Sequence, residues 1–314
     1  MSVAKILVVG SFNYDMTFIS EEFPHPGETV LGSFRGGPGG KGSNQAVASA
    51  RAGASTAFIG AIGADQFGEF AREMMRREGI HAHLHTIEDI PTGTAAVLLN
   101  HASENEIVVA PGANGHLPLD PIPDSLWENA ECLVCQLETN LDAVKAVLQQ
   151  AKERGVRTIL NPAPLPRDFD IGILEFCDIL VPNETEFAGL VRMQKNRPFT
   201  EEQISTLSAA ELHTHCREVG PETIILTLGS RGAVLSTPDS FRHIPARLGM
   251  KVVDTVGAGD AFIGGLGAGL VRFGGDLLQT VSFANTVAAL SVSRPGAAEA
   301  MPQREEIEQL WNRR

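Results

Sequence analysis

Basic residues, cysteines and long apolar runs are all scarce in this sequence. Lys and Arg number 25 against 38 Asp and Glu, a formal net charge of −13, which argues against nucleic acid and membrane surfaces as partners. No apolar run approaches about 18 residues, and the first residues lack a signal-peptide pattern. We therefore expect a cytoplasmic protein. The cysteines are too few and too scattered for a disulfide scaffold, standing at Cys132, Cys135, Cys177 and Cys216.

Glycine, in contrast, is abundant, with 32 residues among 314. A glycine excess is typical of tight turns and of loops whose backbone comes close to a ligand. Hydrophobic residues make up 43% of the chain, which is sufficient for a large buried core.

Short apolar segments alternate with helix-like segments along most of the chain, as in Ile6–Val9 followed by Lys41–Ala52. This alternation predicts an α/β fold with a doubly wound, mainly parallel sheet flanked by helices. Ligands bind such sheets beyond the carboxyl ends of the strands. Two stretches, Tyr14–Phe34 and Thr94–Val109, break the alternation and predict β-hairpins of a small second layer. The polar stretch Gln194–Gln203 is interpreted as a surface connection.

The most specific motif is Val253-Asp-Thr-Val-Gly-Ala-Gly-Asp-Ala-Phe262, which precedes a long apolar helix. The segment Gly257–Gly259 can bring bare N–H groups and the positive end of the helix to an anion. Asp260 follows in the first turn, where the dipole favours an ionised carboxylate that can accept a proton. Phosphoryl transfer to an alcohol needs both parts. The alternative is an ordinary glycine-rich turn with an aspartate cap.

A second glycine-rich loop, Gly36-Gly-Pro-Gly-Gly-Lys-Gly-Ser-Asn44, also precedes a helix. It does not match a P-loop, because Arg35 and Gly42 occupy positions that require Gly and Ser or Thr. Backbone amides, Lys41 and Asn44 at a helix start instead suit several sugar hydroxyls. The alternative is a flexible surface loop.

Polar side chains also follow several of the predicted strands. Asn13 and Asp15 are two residues apart, so an extended chain points both the same way, although a turn fits them equally. Glu138 ends a strand. Asn183 and Glu186 offer an amide and a carboxylate for phosphate and a Mg²⁺-bound water, or simply cap the next helix.

Two patterns suggest metal binding only superficially. Cys132 and Cys135 form a single Cys-x-x-Cys, and strand alternation puts them on opposite faces, so we interpret both as core residues. His81, His83 and His85 alternate without other metal-binding residues nearby, which favours a solvated strand edge.

Taken together, these motifs resemble those of the PfkB-type carbohydrate kinases, and within them the ribokinase group. The resemblance covers nearly the whole chain. Its two signatures are Gly39–Ala46 and Asp254–Phe262, and between them, in the family's order, stand Pro111–Asn114, Gln136–Glu138, Asn161–Pro164, Pro182–Glu186 and Thr227–Gly232. It implies ATP-dependent phosphorylation of a primary hydroxyl of a small sugar, with D-ribose as the first candidate. The alternatives are 2-deoxyribose, another pentose, a ketohexose or a nucleoside, or a non-catalytic sugar- or nucleotide-binding protein.

The resemblance also implies roles for individual residues. Asp260 would be the catalytic base, and Gly257, Ala258 and Gly259 would form the anion hole. The sugar would be bound by Asn13, Asp15, Gly40, Lys41, Gly42, Ser43, Asn44 and Glu138. ATP and its Mg²⁺ would be bound by Asn183, Glu186, Thr227, Leu228, Gly229, Ser230, Arg231, Gly232 and Gly259, with Asn285 near the adenine.

Members of this group also bind K⁺ beside the anion hole. The matching positions are Asp254, Val256, Ser291, Arg294, Gly296 and Ala300, several of them through backbone carbonyls. This sequence departs at Ala300, where a hydroxyl residue is common, and at Tyr14, which is bulkier than usual and is expected to reshape the lid or the sugar pocket.

The resemblance further implies a division into two domains. Residues 1–12, 39–90 and 111–314 would form the large domain that binds nucleotide and sugar, and residues 13–38 and 91–110 would form a β lid. The lid would close over the sugar, exclude water and pair two subunits into a homodimer.

Overall fold

The computed structural model describes residues 4–102, 104–119 and 122–313. In this part of the chain no helix is both long enough and apolar enough to cross a membrane. The described residues form one large sheet, one small sheet and the helices around them.

The large sheet has nine strands and confirms the predicted α/β architecture. In chain order they are β1 Ile6–Val9, β4 Thr56–Gly63, β5 His81–Ile87, β8 Cys132–Cys135, β9 Arg157–Leu160, β10 Ile179–Leu180, β11 Thr223–Thr227, β12 Ala233–Ser236 and β13 Phe241–Ile244. Their spatial order is β13-β12-β11-β10-β9-β8-β1-β4-β5. All pairs from β5 to β11 in this order are parallel, whereas the pairs β11–β12 and β12–β13 are antiparallel.

The small sheet consists of the two stretches that break the alternation. Its strands are β2 Asn13–Ser20, β3 Gly32–Gly39, β6 Thr94–Leu99 and β7 Asn105–Ala110, in the order β3-β2-β6-β7. Both predicted hairpins are confirmed, and they join through a parallel pair, β2 with β6. The domain limits given above stay a prediction.

Ten α-helices lie in the described residues. They are α1 Lys41–Arg51, α2 Gln66–Arg77, α3 Asp124–Trp127, α4 Leu141–Glu153, α5 Glu184–Lys195, α6 Glu201–Thr206, α7 Ala209–Val219, α8 Ala258–Arg272, α9 Leu277–Ser291 and α10 Arg304–Trp311. Half of the stretch expected to be a surface connection is helical: α5 extends to Lys195, and α6 starts after Thr200, whose side chain caps it together with Gln203. The stretch lies at the surface, exposed everywhere except at Phe199, and residues 196–200 connect α5 to α6, which confirms the expectation.

The large sheet separates two hydrophobic cores, one on each face. Leu7 and Val9 of β1 belong to the core beneath α4, α5 and α7, and Ile6 and Val8 to the core beneath α1, α8 and α9. Such a central strand is apolar throughout because both of its faces are covered. Cys135 lies in the first core and Cys132 in the second, which confirms the interpretation of both as core residues on opposite faces.

Candidate active site

A polar cleft of about 220 Å³ opens at the carboxyl ends of the parallel strands. This is the edge at which doubly wound sheets bind ligands. Its lining includes some residues expected to bind the sugar and others expected to bind the nucleotide. The lining residues are Lys41, Asn161, Ala163, Val181, Asn183, Glu186, Thr227, Gly257, Gly259, Asp260 and Ile263.

The start of α8 forms one wall of this cleft. Gly257 precedes the helix at φ 74°, a conformation that glycine adopts without strain. A Cβ there would lie 3.0 Å from Ala297 Cα, whereas a Cβ at Gly259 would have no heavy atom within 4 Å. The backbone around Gly259 therefore faces open space, as a helix N-terminus that accepts a phosphate must.

Asp260 lies in the first turn of α8 and is only 7% exposed. Asn44 Nδ2 donates to its Oδ2 and Gln45 Nε2 to its Oδ1, each at 2.9 Å. Burial raises the pKa of this carboxyl, while Lys41 and the two amides oppose that rise. The sequence predicted that the dipole of α8 would keep Asp260 ionised. In the structure, the groups that favour its charge are Lys41, Asn44 and Gln45, which all belong to α1.

Asn44, which was expected to bind sugar, is thus hydrogen-bonded to Asp260. Its Oδ1 is buried, and no hydrogen-bond partner for it exists among the described residues. A buried acceptor without a donor is costly, and a hydroxyl of a bound molecule would satisfy it. The same side chain can therefore hold Asp260 through its nitrogen and accept from a sugar through its oxygen.

The loop before α1 is fixed to the ends of β1 and β8. Glu138 Oε2 accepts from Ser11 Oγ at 2.6 Å and from the Lys41 N–H at 2.9 Å. Ser11 Oγ accepts from the Gly42 N–H, and the Ser11 carbonyl accepts from the Ser43 N–H. Ser11, which was absent from the sequence prediction, thus links the glycine loop to Glu138.

Asn13 and Asp15 lie in β2, the first strand of the small sheet. Asn13 Oδ1 accepts from Asn114 Nδ2 at 2.9 Å, and Asn114 also bonds the N–H and the carbonyl of Phe12. Burial, followed by the charges of Glu138 and Asp260, raises the pKa of Asp15 to about 7. Asp15 therefore lies within electrostatic reach of both Glu138 and Asp260.

Tyr14, which lies between Asn13 and Asp15 in β2, packs elsewhere. Its ring stacks on Phe67 of α2 at 4.4 Å between centroids and meets Phe70 edge-on at 5.2 Å. Alternation along β2 places it on the strand face opposite Asp15. Of the two expectations for Tyr14, the lid or the sugar pocket, these contacts favour the lid, because the ring fills the space between the small sheet and α2.

Asn183 and Glu186 begin α5 and form a capping box. Asn183 Oδ1 accepts from the Glu186 N–H at 2.8 Å, and the Glu186 carboxylate accepts from both nitrogens of Asn183 at 2.9 Å. Both residues also line the cleft. Burial raises the pKa of Glu186 to about 7, opposed by the Asn183 N–H bond and by Lys41. The two interpretations left open by the sequence are therefore compatible.

The segment expected to contact ATP extends from β11 into a tight turn. Thr227 lines the cleft and Leu228 is buried, followed by the turn of Gly229, Ser230, Arg231 and Gly232. The Arg231 guanidinium turns towards α5 and α6, where it bonds Glu184 and the Ser205 carbonyl.

Asn285 lies on α9 and is not among the residues that line the cleft. Its Nδ2 donates to the carbonyls of Ile244 and Pro245. Asn285 thereby fixes the loop that follows β13.

The positions expected to hold K⁺ surround the turn before α8. Asp254 accepts from the N–H groups of Val256 and Gly296, each at 2.9 Å. Ser291 Oγ donates to the Ala288 carbonyl, and Arg294 pairs with Glu306 of α10. Arg51, the last residue of α1, donates to the carbonyls of Ala298 and Met301 on either side of the buried Ala300.

Several residues that shape the site were not predicted from sequence, namely Gln45, Gln136 and Asn161. Gln136 and Asn161 directly follow β8 and β9, the same position that identified Glu138. That rule alone would have found them. Gln45 follows Asn44 on α1, and only its partners in the structure reveal its place.

A doubly wound sheet, a glycine-rich helix start and a buried carboxylate in one polar cleft define an α/β protein of the phosphoryl-transfer class. A family model described as pfkB family carbohydrate kinase matches residues 3–304. The ribokinase of Haemophilus influenzae is 37% identical over 305 residues, covering 96% of both chains. The chain belongs to the pfkB family of carbohydrate kinases.

Two further relatives are informative about sugar and fold. The deoxyribokinase of Salmonella typhimurium is 33% identical, covering 96% of this chain and 97% of the relative. The structure of Arabidopsis thaliana ribokinase complexed with ribose and ATP superimposes with a TM-score of 0.87 at 30% identity, covering 99% of both chains. The fold is therefore ribokinase-like, as the sequence predicted.

Proposed function

We propose that this chain is an ATP-dependent sugar kinase that converts D-ribose to D-ribose 5-phosphate. The observation that carries the proposal is the Asp260 carboxylate, held by Asn44 and Gln45 in the first turn of α8 and facing the same cleft as Lys41 and Glu186. The ribokinase relative and the ribose- and ATP-bound structure support this activity.

Sugar binding would use the cluster around Asp15. Ionised Asp15 and Glu138 can accept hydrogen bonds from hydroxyls, and Asn44 Oδ1 offers the buried acceptor described above. Gly40, Lys41, Gly42 and Ser43 would supply backbone N–H groups and one cation at the start of α1. Asn13 would fix the edge of the pocket through Asn114.

In the reaction, Asp260 would accept the proton of the sugar's primary hydroxyl as its oxygen attacks the γ-phosphorus of ATP. The N–H groups of Gly257, Ala258 and Gly259 would stabilise the charge on the transferring group, since they are oriented before the reaction starts. Lys41 balances the carboxylates in the cleft; the charges of Asp260, Glu138 and Glu186 raise its pKa, opposed by burial.

ATP would occupy the other half of the cleft, against Thr227 and the turn that follows it. Mg²⁺ bound with ATP would neutralise phosphate charge, and Glu186 together with Asn183 would hold it through water. K⁺ would be bound beside Asp254; Ala300 would offer no side-chain hydroxyl, but the backbone carbonyls of the other predicted positions would remain as oxygen ligands.

A related substrate, 2-deoxyribose, is the second candidate, because a deoxyribokinase is 33% identical along nearly the whole chain. The test is ADP release with ATP and a panel of ribose, 2-deoxyribose, other pentoses, ketohexoses and nucleosides, with and without K⁺. Mass spectrometry would identify the product. We expect the highest kcat/KM with ribose. A clear preference for another sugar would make that sugar the proposed substrate in place of ribose. Absence of turnover with every compound of the panel would contradict the kinase proposal.

Two wider properties complete the proposal. We infer a homodimer that forms through the small sheet, because Phe18, Phe34 and Val108 expose 44, 58 and 72% of their surface there, and contiguous apolar surface marks interaction sites. We also infer a cytoplasmic location, since all four cysteines are free and buried, as in a reducing compartment.

A further inference from the structure

Gln45 is fully buried beside Asp260 and does not line the cleft. Its Nε2 donates to Asp260 Oδ1 at 2.9 Å and to Asn161 Oδ1 at 3.1 Å. Gln136 Nε2 in turn donates to Gln45 Oε1 at 2.6 Å. Both hydrogens of the Gln45 amide and its oxygen therefore have partners inside the protein, and none faces the sugar.

Gln136 determines which way the Gln45 amide faces. With the amide turned over, the Gln45 oxygen would face Asp260 and its NH₂ group would face the NH₂ group of Gln136, so like groups would meet twice. Gln136 Oε1 lies against Gly10, where an added Cβ would be only 2.0 Å away, and it has no hydrogen-bond partner among the described residues, so the one hydrogen bond of this amide is the one its nitrogen donates to Gln45. The chain of amides thus presents a donor to the carboxylate.

We propose that Gln45, oriented by Gln136, is a positioning residue that fixes the Asp260 carboxylate and keeps it ionised. Its relevance to the reaction rests on the proposed kinase function. The other groups that act on Asp260 are Asn44 and Lys41, which favour its charge, and Glu138, which opposes it. Asp15 and Glu186 are further carboxylates within its electrostatic reach. Gln45 differs from Asn44 and Lys41 because it has no open surface for substrate.

The kinetic test is the pH profile of kcat for Gln45→Met, which keeps the length of the side chain and removes the donor. A lost hydrogen bond to a charged group shifts a pKa by about one unit. The acid limb should therefore move up by about one pH unit, so that kcat falls about tenfold at pH values on that limb and changes little on the plateau above it. KM for the sugar should stay within about twofold of the wild type, because Gln45 does not contact the sugar. Gln136→Met should shift the limb less, in the same direction.

Ser49→Ala provides a matched control. Ser49 lies one turn further along α1, is equally buried, and donates to the Gly264 carbonyl of α8. This variant removes a hydrogen bond between the same two helices without touching Asp260. Its acid limb should coincide with that of the wild type, which separates positioning of the base from loosening of the helix pair.

A second measurement does not depend on activity. The loss in free energy of unfolding caused by Gln45→Met should be larger at a pH above the folded-state pKa of Asp260, where the carboxylate is charged, than at a pH below it. In an Asp260→Asn background the loss should be the same at both pH values. The unfolding measurement still tests the role of Gln45 if no sugar is turned over. Absence of turnover would contradict the proposed kinase function but not the proposed role of Gln45.

Either of two results would overturn the inference: an unshifted acid limb in Gln45→Met, or an unfolding cost that does not depend on Asp260. If Gln45→Met fails to fold, Gln136→Met decides by the same two measurements.

Discussion

The carboxylate of Asp260 is the side chain on which the proposed reaction depends most directly. Asp260→Ala should lower kcat by about 10²–10⁴, the range for loss of a general base, while sugar binding stays measurable by titration calorimetry. The matched control is Asp276→Ala, which removes the aspartate cap of the neighbouring helix α9. That variant should lose about 1 kcal/mol of stability and keep its turnover. Full activity in Asp260→Ala would refute the assignment.

Asp15 makes a separate prediction about stability. Its pKa is raised to about 7 by burial and neighbouring carboxylates, so its ionisation opposes folding. Ionisation of Asp15 does not destabilise the protein below the pKa of an unfolded aspartate, about 3.9. The protein loses stability as the pH rises from about 3.9 to about 7. Asp15→Asn should therefore gain about 1–2 kcal/mol on the wild type between pH 4 and pH 8, less than the full shift implies because solvent screens the site.

Asp65 is the control of opposite sign for that experiment. Hydrogen bonds from Thr92, Gly68 and Phe67 lower its pKa against the effect of burial, so the stability it adds is present above about pH 4 and lost as pH falls through the folded value. Asp65→Asn should therefore be less stable than the wild type at neutral pH and approach it in acid. Parallel pH trends in the two variants, measured by urea unfolding, would contradict the account of Asp15.

Between helices, the closest packing near the site is that of α1 against α8. A Cβ at Gly264 would lie 2.4 Å from Ala48 Cβ and 2.7 Å from the Gln45 carbonyl oxygen. Gly264→Ala should push the helices apart, cost about 1–3 kcal/mol and lower kcat, because Asp260 and its partners lie on opposite helices. Gly267→Ala in the same helix meets nothing nearer than 3.4 Å and should be neutral or stabilising by up to about 1 kcal/mol. Equal stability of the two variants would refute this packing argument.

Secondary structure was predictable where the local signal is strong. Strand β1 was predicted with both of its ends, and α1 with its first residue, because an apolar run or a glycine-rich start decides them. The helical turns within the surface stretch 194–203 were not predicted, because a helix of six residues carries little periodicity beyond its capping residues. In the site, strand ends pointed to Glu138, but the pairing of Asn44 and Gln45 with Asp260 joins residues more than 200 positions apart, which spacing alone cannot reveal.

At the scale of the whole molecule, the exposed apolar face of the small sheet predicts how two copies of the chain assemble. Phe18 and Phe34 pair across β2 and β3 with ring centroids 5.3 Å apart, and both are exposed. Burying such a face in a second copy would stabilise a dimer. Phe34→Asp should shift sedimentation towards the monomer, whereas Leu278→Asp, at an exposed leucine of α9, should leave the dimer intact. A wild type that sediments as a monomer at micromolar concentration would refute the homodimer.

The closely spaced carboxyl groups of the site also carry bound protons near neutral pH. Asp15 and Glu186, each with a pKa of about 7, are only partly ionised there. A sugar or cation that binds their ionised forms must release protons into the solution. The calorimetric heat of binding should therefore change with the ionisation enthalpy of the buffer, so that Tris and phosphate at the same pH report different values for one and the same association.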